Sequence, residues 1–334
     1  MNCTEYKNIW VYAELAGGRV SQTTLELLAK SIDLKEKLGG TDKIAAVILG
    51  EHAAEHSKLL FSYGAEQVIC VEGAKLAEYK PRVYKDALVK LVEKHKPSIF
   101  LFPASPLGRE LAPRVMCRLG TGLTADAIDL DIDEDGTFVQ TTPNFGGNIL
   151  SHIAIPEKRP QMCTVHPKVF APIEPREGAE GELIKEELDI ACDDCYEVVS
   201  TEEKVITGIP VDKADIVVSG GFGIKSPEEF GMLKELADLI GGQIGCSRPI
   251  CENGWFGHEY QIGQSGATIS PKLIINVAIS GSVQYMAGMD KSKCVMSINK
   301  DSNAPIFDLS NYGVVGDFRA VIPAIVEEIK NRRA

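Results

Sequence analysis

The chain has no long hydrophobic segment and no leader-like start. None of its apolar runs approaches the roughly 18 residues that a membrane-spanning helix needs. The first residues, MNCTEYKNIWVYAE, have neither the basic flank of a secretory signal nor the arginines of a transit peptide. We therefore expect no transmembrane segment and a cytoplasmic location.

Basic residues are in the minority. The chain carries 35 Lys and Arg against 47 Asp and Glu, which gives a formal net charge of −12. Nucleic-acid binding needs a clustered basic surface that can neutralise phosphates, and the sequence contains no such cluster. We expect no nucleic-acid partner.

The nine cysteines do not form a recognisable framework. An odd number without a secretory signal indicates reduced thiols rather than disulfides. Cys192 and Cys195 have a CxxC spacing, but no second CxxC or histidine pair completes a tetrahedral metal site. Asp193 and Asp194 between them would raise the thiol pKa, so we interpret the pair as free thiols on a surface turn. A redox or metal role is the less favoured alternative, and we predict no metal site.

Strands and helices alternate through the first half of the chain. Short apolar strands between helices predict a parallel sheet that is buried on both faces. The predicted strands cover residues 8–14, 43–49, 67–71 and 98–103, and the helices cover 23–37, 53–63, 84–95 and 107–119. Further strands are predicted at 127–133, 137–142, 149–155, 161–165 and 183–189, where they would extend or cover the first sheet.

A second alternating segment begins near residue 214. The stretch 201–212 before it is the predicted boundary and hinge, so we assign residues 1–204 to one domain and 205–334 to another. The predicted fold class is α/β, with two domains that each contain an open, mostly parallel sheet and flanking helices. The second domain is predicted to be doubly wound, or Rossmann-like.

Small and polar residues follow the predicted strands of the second domain, where open parallel sheets bind their ligands. Ser280, Gly281 and Ser282 precede a helix, so their free NH groups and the helix dipole favour an anion or a nucleotide. A turn at 263–266 could approach such a ligand closely. The chain contains no G-x-G-x-x-G or Walker pattern, and the alternative is that these glycines only form turns.

The segment LIINVAISGSVQYMAGMDKSKCVMSINKDSNAPIF resembles the signature of the electron-transfer flavoprotein alpha subunit of bacterial type. VVSGGFGIKS, GCSRP, YQIGQSGATISPKL and YGVVGDFRAVIP follow in the order of that family, and the likeness covers essentially the whole chain. It implies that the second domain binds FAD and that the first packs on a beta subunit. It also implies electron transfer between an acyl-CoA dehydrogenase or a related flavoenzyme and another acceptor, without a catalytic residue in this chain.

The resemblance also implies which residues hold each part of the cofactor. Ser247 and Arg248 would lie at the flavin. The isoalloxazine and ribityl chain would be lined by Ile262, Gly263, Gln264 and Ser265. The pyrophosphate and ribityl hydroxyls would be held by Ser280, Gly281, Ser282, Val283 and Gln284. The AMP half would be contacted by Asn299, Asp317 and Phe318.

Three positions depart from the family pattern. Tyr285 replaces the usual histidine beside the flavin, Phe222 replaces an arginine, and His166 replaces another arginine. The first two changes remove possible cations near an anionic reduced flavin. One charge at about 4 Å in a dielectric near 20 is worth roughly 4 kcal/mol at most, or roughly 170 mV. We therefore expect a lower reduction potential and a less stable one-electron-reduced anion, unless a neighbouring residue compensates.

The sequence leaves alternatives open. The complex could be a carrier with a single FAD, or an NADH-linked, electron-bifurcating or reductase complex whose second flavin lies in the beta subunit. A non-redox nucleotide-binding module is favoured only by Phe222 and Tyr285. A self-contained dehydrogenase is disfavoured, because the six histidines are scattered and no nucleophile–base pair follows a predicted strand.

Overall fold

The computed structural model describes residues 5–144, 149–191, 195, 198–200 and 209–333. The chain divides into two compact units, which contain the described residues up to 200 and those from 209 onward, respectively. Each unit has two hydrophobic cores of its own. Cys192 and residues 201–208 of the predicted hinge lie outside the described residues.

Unit 1, the first of these, combines a parallel sheet with helices on both sides and a small antiparallel sheet. Its elements are β1 (Ile9–Ala13), β2 (Leu15–Ala16), β3 (Arg19–Val20), α1 (Gln22–Lys37), β4 (Ile44–Gly50), α2 (Ser57–Ser62), β5 (Gln67–Glu72), α3 (Pro81–His95), β6 (Ile99–Pro103), α4 (Pro106–Leu119), β7 (Leu123–Ala127), β8 (Asp129–Ile132), β9 (Phe138–Asn144), β10 (Ile149–Ala154), β11 (Gln161–Val165) and β12 (Glu182–Lys185).

The main sheet of unit 1 has the order β12-β5-β4-β1-β6-β11-β7, and all its pairings are parallel. β8, β9 and β10 form the separate antiparallel sheet, and Leu130, Ile132 and Phe138 from it join one of the two cores. The later strands therefore do both things that the sequence predicted, since β11 and β12 extend the first sheet and β8 and β9 cover part of it.

Local signals in the sequence explain where the helices of unit 1 begin and end. Ser21 and Ser105 are the N-caps of α1 and α4, and their hydroxyls accept hydrogen bonds from backbone NH groups three residues later. Gly120 ends α4 in the left-handed conformation, which glycine adopts without steric cost.

Unit 2 is an open sheet of five parallel strands. Its elements are β13 (Ile216–Gly220), α5 (Phe230–Ile240), β14 (Gln243–Cys246), α6 (Arg248–Glu252), β15 (Leu273–Val277), α7 (Val283–Met286), β16 (Val295–Asn299), β17 (Tyr312–Val315) and α8 (Phe318–Arg333). The strand order is β14-β13-β15-β16-β17. After β14 the chain crosses to the other half of the sheet, so β13 and β15 flank the switch point, and open parallel sheets bind ligands beyond the carboxyl ends of such strands.

The mixed α/β class with mostly parallel sheets is as predicted. Among the described residues, no helix combines the length and the apolar character that crossing a membrane requires. Within unit 2, the carbonyl of Ile209 accepts a hydrogen bond of 2.6 Å from Gln243 Nε2.

Truncation of a core residue should distinguish the packed face of α1 from an exposed helix position. Leu28 is fully buried, so Leu28→Ala should lower the free energy of unfolding of unit 1 by about 2–5 kcal/mol. Leu59→Ala, at a position that is 40% exposed, should change it by about 0.5 kcal/mol or less. Calorimetry of the full chain would measure both, and equal effects would contradict the packing described here.

Candidate functional site

Hydrogen bonds join the loops at the carboxyl edge of the unit 2 sheet into one continuous surface. Ser247 N donates to Gly220 O at 3.0 Å, and Gly221 N donates to Val277 O at 2.9 Å. On the other side, Asn299 Nδ2 donates to Ile279 O at 2.9 Å. Most of the residues that the sequence assigned to a ligand site are therefore brought together along this edge.

Glycines allow the backbones of neighbouring loops to touch. A Cβ atom on Gly221 would lie 2.4 Å from Ala278 O, and a Cβ atom on Gly281 would lie 2.4 Å from Ile306 N. Gly281 also has a φ of +90°, which disfavours any other residue. The neighbouring loops can therefore pack this closely only because these two positions lack a Cβ atom.

Ala278 adds a strained position at the same edge. Its φ is +54°, in the left-handed region that residues with a Cβ rarely occupy. It lies between β15 and the 280–282 turn, and its carbonyl accepts a hydrogen bond from Gly223 N at 3.2 Å. Strain of this kind is often found at binding sites. No sequence signal distinguishes this alanine from others.

The turn at 263–266 lies against α7. Gln264 N donates to Gln284 O at 2.8 Å, and Gly263 has a φ of +140°. Gln261 Nε2 donates to Ser265 Oγ at 3.0 Å, which braces the turn from inside. The side chains of Gln264 and Ser265 are exposed, so both can reach a ligand that lies on this surface.

The 280–282 turn carries free backbone donors. Among the described residues, no group accepts a hydrogen bond from the NH groups of Ser280, Gly281 or Ser282. Ser280, Ser282, Val283 and Gln284 have exposed side chains. The sequence predicted a helix dipole here, but α7 has only four residues, so the free NH groups carry the attraction for an anion.

A cation follows β14. Ser247 is the N-cap residue of α6 and is buried, whereas the side chain of Arg248 is 65% exposed. Arg248 Nε donates to Glu252 Oε1 at 2.8 Å, so part of its charge is compensated within the same helix. The guanidinium nevertheless remains at the edge that the sequence predicted for it.

A second cation lies beside Phe222. Its ring is 60% exposed, and Lys225 Nζ lies 4.5 Å from the ring centroid and donates to Phe222 O at 3.2 Å. The sequence-based expectation of a lower reduction potential rested on two missing cations, at positions 222 and 285, and allowed for compensation by a neighbouring residue. Lys225 places a positive charge in the same loop. We therefore expect the reduction potential to fall by less than the loss of both cations would cause.

Three residues assigned to the ligand have side chains that lie inside the fold. Ile262 and Phe318 belong to the two cores of unit 2, and Tyr285 is 4% exposed. The Tyr285 hydroxyl lies 2.8 Å from Ser219 Oγ and 2.7 Å from Asn276 Oδ1, and burial raises its pKa. In this arrangement the three residues can contact a ligand only through backbone atoms.

Asn299 and Asp317 lie beyond β16 and β17. Asn299 is nearly buried, and its Oδ1 accepts from Asp301 N at 3.0 Å, so it braces two loops. Asp317 is exposed, and its Oδ1 accepts from Arg319 N at 3.0 Å. This hydrogen bond, together with the Arg319 guanidinium, lowers the pKa of Asp317. A carboxylate that is charged at neutral pH suits the hydroxyl groups of a ribose better than a phosphate at this place.

The donor set favours an extended phosphate-containing ligand over a metal ion. Free NH groups and serine hydroxyls suit a pyrophosphate, and the side chains of Gln264 and Gln284 suit polar groups beside it. No group of three or more metal-ligating side chains occurs among the described residues. A flavin dinucleotide therefore fits the edge chemically.

Comparisons with known proteins agree with this chemistry. Residues 9–191 match the family described as "Electron transfer flavoprotein domain", and residues 210–290 match "Electron transfer flavoprotein FAD-binding domain". The second match runs from just before β13 to just after α7, and it includes the carboxyl ends of β13, β14 and β15 and both glycine turns.

The chain is similar along its whole length to named bacterial proteins. It is 42% identical to "Electron transfer flavoprotein subunit alpha" of Thermoanaerobacterium thermosaccharolyticum, with 98% of each chain covered. It is 39% identical to the protein of the same name from Megasphaera elsdenii, with 100% of this chain and 99% of the relative covered. It is 36% identical to "Lactate dehydrogenase (NAD(+),ferredoxin) subunit LctC" of Acetobacterium woodii, covering 97% of this chain and 77% of that protein.

The close backbone contact at Gly281 gives a direct test of the site. Gly281→Ala should displace the 280–282 turn and lower FAD affinity by at least about tenfold, because the new Cβ would collide with Ile306 N. Gly231→Ala is the matched control, since a Cβ there meets no atom within 4 Å and α5 should become slightly more stable. Flavin fluorescence titration would measure both, and equal affinities would argue against this turn as part of the site.

Proposed function

We propose that this chain, which belongs to the electron transfer flavoprotein alpha subunit family, is the FAD-binding half of a heterodimeric electron carrier. One observation carries the proposal. The segment that matches the FAD-binding family contains the glycine turns and the free NH groups that lie at the carboxyl edge of unit 2. FAD supplies the redox chemistry when bound, and the chain binds and orients it.

The cofactor is proposed to lie along the edge with its pyrophosphate at the NH groups of Ser280, Gly281 and Ser282. The exposed side chains of Gln264 and Gln284 would then bind the ribityl and flavin side. Arg248 would provide a positive charge near the flavin, and Asp317 would accept hydrogen bonds from the ribose. The free donors, the exposure of these side chains and the backbone contacts at the glycines support this placement.

Residues 1–204 are proposed as the domain that packs on the beta subunit, residues 205–334 as the FAD domain, and 201–212 as the hinge. The division of the chain into two compact units supports this assignment. The edge strand β10 also exposes Ile149 and Leu150 by about half of their surface. An exposed apolar edge of this kind is commonly covered by a partner chain.

Members of this family pair with a beta subunit and a dehydrogenase. We propose an acyl-CoA dehydrogenase or a related flavoenzyme as the electron donor of this complex, on the strength of the resemblance in the FAD-binding signature.

A second candidate is an NADH-linked, electron-bifurcating complex with a further flavin in the beta subunit. The likeness to a subunit of an NAD(+)- and ferredoxin-dependent lactate dehydrogenase favours it. The two candidates differ in their predicted flavin content and in their reactivity with NADH.

Purification of the full chain with its beta subunit should yield a yellow complex. The simple carrier predicts one FAD per heterodimer and slow reduction by NADH, and the second candidate predicts two flavins and rapid reduction. Flavin content after acid release and stopped-flow absorbance would be measured. A folded heterodimer that takes up no flavin would contradict both candidates and favour a non-redox module.

Removal of the cation at position 248 should lower the reduction potential of the bound FAD. We expect Arg248→Gln to lower it by about 20–60 mV, because a positive charge stabilises the reduced anion but is here exposed and paired. Arg332→Gln is the control, since Arg332 makes a similar pair with Glu328 near the C-terminal end of α8. Spectroelectrochemical titration would decide, and equal potentials for the two variants would exclude Arg248 as a flavin-proximal charge.

A further inference from the structure

A row of polar side chains crosses the interior of unit 2. Ser219, Asn276 and Ser297 lie on β13, β15 and β16, and the strand register pairs Ser219 with Asn276 and Asn276 with Ser297. All three are at most 1% exposed. A buried polar group without a partner costs about 1–3 kcal/mol, so a row of this kind persists only if each member is hydrogen-bonded.

Tyr285 completes one end of this row. Its hydroxyl is within hydrogen-bond distance of Ser219 Oγ and Asn276 Oδ1. The amide oxygen can only accept, so the single phenolic hydrogen goes to Asn276 and the Ser219 hydroxyl donates to Tyr285. Asn276 Nδ2 in turn lies 3.4 Å from Ser297 Oγ.

Ser310 completes the other end. Its Oγ lies 2.7 Å from Ser297 Oγ and 2.8 Å from Ile306 O. The carbonyl can only accept, so Ser310 donates to Ile306 and Ser297 donates to Ser310. The result is one directional chain of hydrogen bonds, in which Ser219, Tyr285, Asn276, Ser297 and Ser310 are linked in that order and the last donates to Ile306 O.

Both ends of this hydrogen-bond network are attached to loops of the carboxyl edge. Tyr285 belongs to α7, and the carbonyl of its neighbour Gln284 accepts from Gln264 N in the other glycine turn. At the opposite end, Ile306 N donates to Ser280 O at 3.0 Å and lies against Gly281. The same network therefore fixes the 280–282 turn from two sides and the 263–266 turn through α7.

We propose that Tyr285 is a positioning residue for FAD, which acts by tying both glycine turns to the sheet and not by touching the flavin. This inference rests on the proposed function. It replaces the expectation that Tyr285 meets the flavin edge, because its single hydrogen and its buried ring are already engaged inside the fold.

The test uses Tyr285→Phe in the full chain with its beta subunit, and Tyr312→Phe as the matched control. Tyr312 lies on β17 and is 66% exposed. Tyr285→Phe should raise the dissociation constant for FAD about tenfold, or about 1.4 kcal/mol. It should also speed hydrogen–deuterium exchange at 263–269 and 282–288 in the flavin-free protein, and leave the reduction potential of bound FAD unchanged. The control should change none of these.

A variant at the far end of the network keeps the proposal testable if Tyr285→Phe does not fold. Ser310→Ala should speed exchange at 280–288 and 305–309 and weaken FAD binding, although Ser310 is not among the residues assigned to FAD. Unchanged exchange in both variants, or a change in potential alone, would overturn the proposal. Failure of the unmodified protein to bind FAD would instead contradict the proposed function, and the exchange rates would still report the role of Tyr285.

Discussion

Direct contact between backbones is the constraint on which the carboxyl edge of unit 2 depends. Gly221 packs against the carbonyl of Ala278, Gly281 against Ile306 N, and Gly288 against the backbone of Gly263. Parallel strands bring their carboxyl ends to one edge, and only residues without a Cβ allow the following turns to meet there. The edge is therefore a surface of backbone donors and small polar groups, which suits a phosphate-containing cofactor.

The fold was predictable from the sequence, and the candidate site could be assigned to one edge of it, because both depend on patterns. Short apolar strands alternate with helices, and the strand ends are marked by Gly221, Ser247, Ser280 and Asn299. The resemblance to one family then identified FAD as the cofactor. Main-chain features of this kind follow from residue type and spacing, so a single sequence is enough to place them.

Side-chain direction was harder to predict. Ile262, Tyr285 and Phe318 were assigned to the ligand, yet their side chains lie in the interior. For Tyr285, the four-residue α7 gives no periodicity from which to read a face. Lys225 was missed because its position over Phe222 depends on the path of a loop. Ser219 and Asn276 did leave a signal, as polar residues inside otherwise apolar strands, and that signal indicates a buried partner.

An experimental structure of the heterodimer with FAD would test the central claim most directly. The account predicts pyrophosphate oxygens within about 3.2 Å of the amide nitrogens of Ser280, Gly281 and Ser282. It also predicts that the Tyr285 hydroxyl is bonded to Ser219 and Asn276, with no contact to the isoalloxazine. A pyrophosphate bound away from this turn, or a Tyr285 hydroxyl turned out to the flavin, would contradict it.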